Sequence, residues 1–380
     1  MDFSLSEEQG AIFDMAQAFG ADKIAPNARA WESDGTIPKE LWHEVGELGF
    51  GGLNVSEASG GAGLGRLDAS LVFEALSQSC ASVAAFLSIH NMCARMIDSF
   101  GSDELKARLL PKAIPMDTIL SYCLTEPGSG SDAAALKTKA DKTNHGWRLN
   151  GTKAFISGAG YSDAYLIMAR SGDEGAPGVS TFFVEDETPG LSFGGLEDKM
   201  GWRSQPTRQV QLDNCDIPAE NLLGSEGEGF KYAMSGLDGG RLNITACSIG
   251  AAQSALTMTL SYMSERKAFG QSLDQFQALQ FKLADCEIEL EAARTFLRHA
   301  SWALDEGQAD ATKRCAMAKA FGTEVASRVA DTCLQLHGGY GYLADYGIEK
   351  IVRDLRVHRI LEGTSEIMRV IVARHLLGKS

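Results

Sequence analysis

The chain has 380 residues, 44% of them hydrophobic and 22% charged, the make-up of an ordinary globular protein with material for two or three domains. Its formal net charge of −15 argues against a nucleic-acid partner, which needs a basic patch or stripe, but leaves local Arg and Lys clusters free to bind anions. The eight cysteines show neither C-x-x-C nor zinc-site spacing, and no apolar run approaches the roughly 18 residues that span a bilayer, so the expectation is free thiols in a reducing compartment, no metal and no membrane partner.

Residues 1–8 carry neither the basic and apolar regions of a secretory signal nor the arginines of a transit peptide. They read as the start of a bacterial cytoplasmic protein, or of a mitochondrial matrix protein already trimmed. Residues 1–117 have a helical pattern. Ser6 and Gln9 form a capping-box signature, followed by Ile12, Ala16 and Phe19 at helical spacing. Pro26 marks a break, residues 55–65 form a Gly-rich loop, two apolar helical stretches follow, and Pro111 and Pro115 end the zone.

The period changes over residues 118–227. Short runs at 164–169, 180–184 and 209–212, bounded by Gly, Pro, Asn or Asp, read as strands of an antiparallel β domain. Asn150-Gly151 and Pro189-Gly190 fit hairpins or loops. Residues 228–380 turn helical again, with long Ala/Leu/Ile-rich segments at 244–263, 277–303 and 310–337 that predict a helix bundle. Helix, sheet, helix in sequence predicts an α+β multidomain chain rather than an alternating α/β fold.

Several short stretches carry chemistry. Tyr122-Cys123-Leu124-Thr125-Glu126-Pro127-Gly128-Ser129-Gly130-Ser131-Asp132 combines small residues, backbone donors and hydroxyls that let a ligand come close, or is a polar surface turn. It is neither a dinucleotide fingerprint nor a P-loop. Phe155 and Ser157, two apart on a strand, would face one side and could meet a flat cofactor, or Phe155 is core. Asp238-Gly239-Gly240-Arg241 reads as space for a ligand with polar groups at its edge, or as a helix-initiating loop. Arg266 could pair with phosphate, and Gln335-Leu336-His337-Gly338-Gly339 is a second Gly-rich turn. Near the C-terminus, Arg359-Ile360-Leu361-Glu362-Gly363-Thr364-Ser365-Glu366 places a carboxylate on an irregular turn. Thr364 or Ser365 can cap the next helix, Glu366 sits in its first turn, and Ile367, Val370, Ile371 and Leu377 suit one face of it. Such a loop, anchored by a rigid element, suits a catalytic base.

In this order and layout, Y-C-L-T-E-P-G-S-G-S-D, K-A-F-I-S-G, E-R-x-A-F-G, L-H-G-G-x-G and E-G-T-S-E-I resemble the acyl-CoA dehydrogenase family over essentially the whole chain. The resemblance implies one FAD per subunit, an acyl-CoA substrate, electron-transferring flavoprotein as acceptor, and a homotetramer built as a dimer of dimers. It assigns flavin contacts to Tyr122, Cys123, Leu124, Thr125, Gly130 and Ser131, with Ser131 also near the substrate. Phe155, Ile156 and Ser157 would line the isoalloxazine; many family members have Trp in place of Phe155. Arg266, Phe276, Gln277, Gln335, Leu336, His337, Gly338 and Gly339 would hold the FAD of a neighbouring subunit. Thr364, Ser365 and Glu366 would meet the FAD phosphates and adenosine. Asp238, Gly239, Gly240, Arg241 and Arg374 would contact acyl-CoA.

Glu362 is then the base that takes the α-proton of the thioester while the β-hydride moves to flavin N5. Isovaleryl-CoA and long-chain members carry their base at the position of Gly240, so Gly here leaves Glu362 without a rival. The Gly239-Gly240 pair could leave room for an α-methyl branch. Stretches 153–160, 201–208 and 237–251 are most similar to members that oxidise isobutyryl-CoA in valine breakdown. Butyryl-CoA and 2-methylbutyryl-CoA are the alternative substrates. An acyl-CoA oxidase and a flavin-binding scaffold without turnover are competing readings. Burial under bound substrate should raise the pKa of Glu362 and the nearby helix N-terminus should lower it, with burial dominating once the ligand excludes water.

Overall fold

Ser6 opens the first helix as expected: its hydroxyl accepts from the Gln9 amide while the Gln9 side chain accepts from the Ser6 amide. The computed structural model describes residues 4–378; Met1, Asp2 and Phe3 of the segment read above for a targeting signal lie outside the described residues. Six α-helices come first: α1 (Glu7–Phe19), α2 (Ala28–Asp34), α3 (Lys39–Glu47), α4 (Arg66–Ser77), α5 (Ala81–Phe100) and α6 (Asp103–Ala113). Pro111 does not end the zone but sits inside the last turn of α6.

An eight-stranded sheet follows. Its strands are β1 (Leu120–Cys123), β2 (Lys139–Thr143), β3 (Gly146–Ser157), β4 (Ala164–Arg170), β5 (Val179–Glu185), β6 (Leu191–Phe193), β7 (Thr207–Pro218) and β8 (Leu222–Leu223). The order is β6-β7-β3-β2-β4-β5-β8, with β1 beside β4. Most pairs are antiparallel, as the short alternating runs predict, but β1 and β2 each run parallel to β4, so the sheet is mixed. Asn150-Gly151 makes no hairpin: it lies inside β3 at a register shift against β7. The β2–β3 hairpin turns instead at Asn144 and His145, beyond the Thr143–Gly146 pair.

The last third is helical: α7 (Gly229–Glu265), α8 (Gln277–Asp305), α9 (Ala311–His337), α10 (Ile348–His358) and α11 (Ser365–Leu376), with a small β9 (Lys267–Ala268) and β10 (Gln271–Ser272) ribbon between α7 and α8. One core unites the first helices with this bundle. Val72, Phe73 and Leu76 of α4 and Phe86 of α5 pack in one cluster with Leu242, Ile249 and Leu256 of α7 and Val325 and Val329 of α9. A separate cluster, including Trp147, Tyr165, Phe182 and Val210, fills one side of the sheet. On α11 the buried contact is Met368, whereas Val370 and Leu377 are exposed in the single chain.

A polar seam locks the loop before β7 onto the bundle. The Trp202 amide donates to Asp354 Oδ1 at 2.6 Å, and its indole N–H donates to Nε2 of buried His358 at 3.1 Å. Indole can only donate, so His358 carries its proton on Nδ1 and gives it to Ser248 Oγ at 2.7 Å. Burial holds this imidazole neutral, with its pKa pushed down to about 3.

Candidate active site

Glu362 stands on the turn between α10 and α11. Its backbone is left-handed (φ 56°), as is that of Gly363 (φ 87°). The turn is pinned from the far side: Thr364 is the residue that caps α11, its hydroxyl accepting from the Ile367 amide at 3.2 Å. The Ser365 amide donates to the Arg359 carbonyl at 3.0 Å.

The carboxyl lies against α7. A Cβ at Gly240 would sit 2.6 Å from Glu362 Oε2, and one at Gly239 would sit 2.4 Å from an Arg66 guanidinium nitrogen. The paired glycines are therefore neither a helix-initiating loop nor free space for an α-methyl branch. They are two adjacent niches inside the N-terminal half of a 37-residue helix, one filled by the carboxyl of Glu362 and the other by the guanidinium of Arg66. Arg66 is itself tethered, donating to Asn54 Oδ1 at 3.0 Å, while its amide donates to Asp305. Next along the helix, buried Arg241 donates to Asp238 Oδ1 at 2.6 Å, and Asp238 Oδ2 accepts from Thr312.

Among the described residues no hydrogen bond satisfies Glu362 Oε2, although the atom is buried. Burial pushes the carboxyl pKa up to about 7, against the pull of the Arg241 and Lys319 cations. Burial thus outweighs the charges around it. The pH dependence of proton abstraction follows in sign: below about pH 7 the carboxyl is protonated and cannot accept a proton. The rate of flavin reduction should therefore rise with pH through about 7, falling about tenfold per unit on the acid side. Stopped-flow reduction across pH 5–9 measures this. A plateau extending to pH 5 would mean an ordinary carboxylate.

The loop after β1 is held by a buried ion pair. Lys153 Nζ donates to Glu126 Oε1 at 2.8 Å and to the Leu124 carbonyl at 3.2 Å, and the Glu126 oxygens also accept from the Lys137 and Thr138 amides. The Ala154 amide donates to the Thr125 carbonyl, which brings β3 against this loop. A register shift between Lys153 and Ile156 and the left-handed backbone of Phe155 (φ 58°) break the strand's alternation. Phe155 is consequently 70% exposed, not core, and Ile156 beside it is buried. Cys123 and Leu124 are buried, Ser157 is half-buried, and Gly130 and Ser131 are exposed. The Tyr122 hydroxyl points to the Ala233 carbonyl of α7 at 3.5 Å.

Away from Glu362, a cavity of about 670 Å³ gathers Arg266, Gln335, Leu336, His337, Gly338 and Gly339 with Tyr262 and Tyr340. Arg266 lies over the Tyr340 ring at 5.2 Å, and His337 stacks on Tyr262 at 4.4 Å. Phe276 and Gln277 open α8 between lining residues Leu273 and Leu279 but do not line it themselves. The structure thus brings Asp238, Gly239, Gly240, Arg241 and Glu362 to one place and Arg266 with residues 335–339 to another. Glu366 and Arg374 are exposed on α11, and the Ser365 hydroxyl is buried without a partner.

Four features escaped the sequence reading: the placement of Arg66, the pairing of Glu126 with Lys153, the Trp202–His358 seam and Lys319. A signal existed for Lys319. It falls on the same α9 stripe as Cys315, Gly322, Thr323 and Ala326, all buried, where a cation needs a reason.

Family models span nearly the whole chain: "Acyl-CoA dehydrogenase, N-terminal domain" over residues 6–117, "middle domain" over 121–215 and "C-terminal domain" over 227–377. The chain belongs to the acyl-CoA dehydrogenase family. Mitochondrial isobutyryl-CoA dehydrogenases of Dictyostelium discoideum and Bos taurus are 50% and 48% identical to it, each over 98% of this chain and 90% of the relative. A chain from the solved structure described as the electron transferring flavoprotein of Acidaminococcus fermentans superposes with a TM-score of 0.96 at 39% identity, covering 99% of this chain and all of that one. This dehydrogenase is an FAD-dependent oxidoreductase. Its surfaces fit that cofactor, which is flat at one end and anionic at the other: the exposed Phe155 ring lies beside a small-residue loop, and an arginine lines the cavity of about 670 Å³.

Proposed function

We propose that this dehydrogenase oxidises isobutyryl-CoA to methacrylyl-CoA in valine breakdown. The carrying observation is Glu362 Oε2, buried, without a hydrogen-bond partner among the described residues and seated in the Gly240 niche. A thioester α-proton is weakly acidic, so its removal needs a base that is placed in advance and poorly solvated. Glu362 accepts that proton as the Cβ–H electron pair leaves as hydride, and the two changes create the α,β double bond. Bound FAD supplies the acceptor for the hydride. Arg241, fixed by Asp238, keeps a positive charge near the carboxylate and the developing enolate. The choice of isobutyryl-CoA is supported by the two relatives at about half identity; the glycine niches, being filled, do not size the acyl pocket.

In this reading Tyr122, Cys123, Leu124, Thr125, Gly130 and Ser131 hold the flavin through backbone and hydroxyl groups, with Phe155, Ile156 and Ser157 along its ring. Thr364, Ser365 and Glu366 meet its phosphates and adenosine. Asp238 through Arg241, Ser131 and Arg374 serve acyl-CoA. The cavity around Arg266 takes part of the FAD of a second subunit, with Phe276 and Gln277 at its approach. A dimer of dimers accounts for the exposed apolar side chains Phe269, Phe281, Ile288, Trp302, Leu376 and Leu377, which a free monomer would present to water. Electron-transferring flavoprotein is the expected acceptor. The eight buried free cysteines accord with a bacterial cytoplasm or a mitochondrial matrix.

Anaerobic titration of the holoenzyme with isobutyryl-, butyryl-, 2-methylbutyryl- and isovaleryl-CoA tests the substrate. Isobutyryl-CoA should bleach the flavin fastest. Faster bleaching by another of these thioesters would move the substrate assignment to it, and no bleaching by any, with FAD bound, would leave a scaffold.

A further inference from the structure

We propose that Lys319 is a positioning residue for Glu362: its buried ammonium clamps the Gly363 carbonyl, fixes the turn that presents the carboxyl to Gly240, and sets a positive charge beside the base. The inference rests on Glu362 being the base.

Lys319 lies in the middle of α9 with no solvent exposure. Its Nζ donates to the Gly363 carbonyl at 2.7 Å. This joins a rigid helix to the one turn on which the base stands, a turn whose left-handed backbone at Glu362 needs outside support. A lysine in such a place costs several kcal/mol of desolvation, and an apolar side chain would pack the same space without that cost. What lysine adds is a directed donor and a charge.

The surrounding groups leave that charge for Glu362. Glu324, on the same helix, is engaged by Arg359 at 2.9 Å. His358 of α10 is neutral, and Glu366 of α11 is exposed. Arg241 of α7, held by Asp238 at 2.6 Å, is a second cation close by, and its pull on Glu362 adds to that of Lys319. Facing Glu362 from the remaining elements are the half-buried Tyr122 of β1 and the buried Cys93 thiol of α5, both pushed well up by desolvation and so uncharged near neutrality. Burial also brings Lys319 down to about 8, so near pH 7 it is mostly charged.

The sign of the test follows. A nearby cation stabilises the carboxylate, so removing it raises the pH at which Glu362 ionises. Lys319→Met holoenzyme should show its flavin-reduction midpoint moved up by about one pH unit, equivalent to a rate about tenfold lower at pH values below both midpoints. Lys319→Arg, which keeps the charge, should hold the midpoint near that of the unaltered enzyme. Lys319→Gln keeps a donor for the Gly363 carbonyl without the charge and should shift like the Met variant; it also serves if Lys319→Met fails to fold. An independent readout is the infrared band of the protonated carboxyl that Glu362→Gln removes, whose pH midpoint should move in parallel. An unchanged midpoint in both uncharged variants, whatever their rate, overturns the proposal while leaving the base in place. Undiminished flavin reduction by Glu362→Gln overturns both.

Discussion

Glu362→Gln should abolish reduction of the flavin by acyl-CoA while leaving FAD bound. The amide fills the same niche against Gly240 but cannot take up a proton near neutral pH. A positioned general base contributes about 10²–10⁴-fold, and a weakly acidic α-carbon places this enzyme toward the upper end. The yellow holoenzyme mixed anaerobically with isobutyryl-CoA gives the number directly. Because Gly240 holds no second carboxylate, no neighbour can substitute. Retention of reduction within tenfold of the unaltered rate would remove Glu362 from the mechanism.

The largest expected loss of stability is at the Glu126–Lys153 pair. Both side chains are buried, and the carboxylate gathers the ammonium and two backbone amides of the Lys137–Thr138 segment. Glu126→Ala leaves a fully buried ammonium without its counter-ion, at a cost of about 3–5 kcal/mol. The damage should be local first. Thr125 and Leu124 lose the anchor that sets the loop after β1, so FAD release should precede unfolding. Flavin fluorescence during a thermal ramp, beside circular dichroism, separates the two events. Replacing both partners together by Leu and Met should cost less than Glu126→Ala alone, since no charge is then stranded. A Glu126→Ala melt that coincides with the unaltered protein in both signals would show that solvent reaches Lys153.

The helix–sheet–helix order, the three longest C-terminal helices and the turn carrying Glu362 were all legible in the sequence, because each rests on periodicity or local capping. What was hidden depended on distant partners. Glycine is among the poorest helix formers, so Gly239-Gly240 suggested a boundary; the sequence of α7 says nothing of the Arg66 and Glu362 side chains that need the room. Asn150-Gly151 has the composition of a tight turn but serves a bulge within β3. Phe155 looked like core because aromatic residues on strands usually are, and only the register shift beside it turns the ring outward. The parallel placement of β1 and β2 beside β4 follows from long-range pairing that no local run encodes. Lys319 and Lys153 are the same problem for charge: a lysine letter implies solvent until the fold supplies a carbonyl or a carboxylate.

Among the described residues, Glu362 is one of six non-glycine positions with a left-handed backbone, and Phe155 and Trp202 are among the others. For an L-residue that conformation costs roughly 1–2 kcal/mol, which glycine does not incur. A population of variants screened for heat resistance alone would therefore drift toward glycine at position 362, gaining robustness as it lost turnover. Screening for turnover at a raised temperature holds the acid in place and forces compensation elsewhere in the molecule. The two regimes should yield different lineages from the same parent, and sequencing position 362 in each would tell them apart.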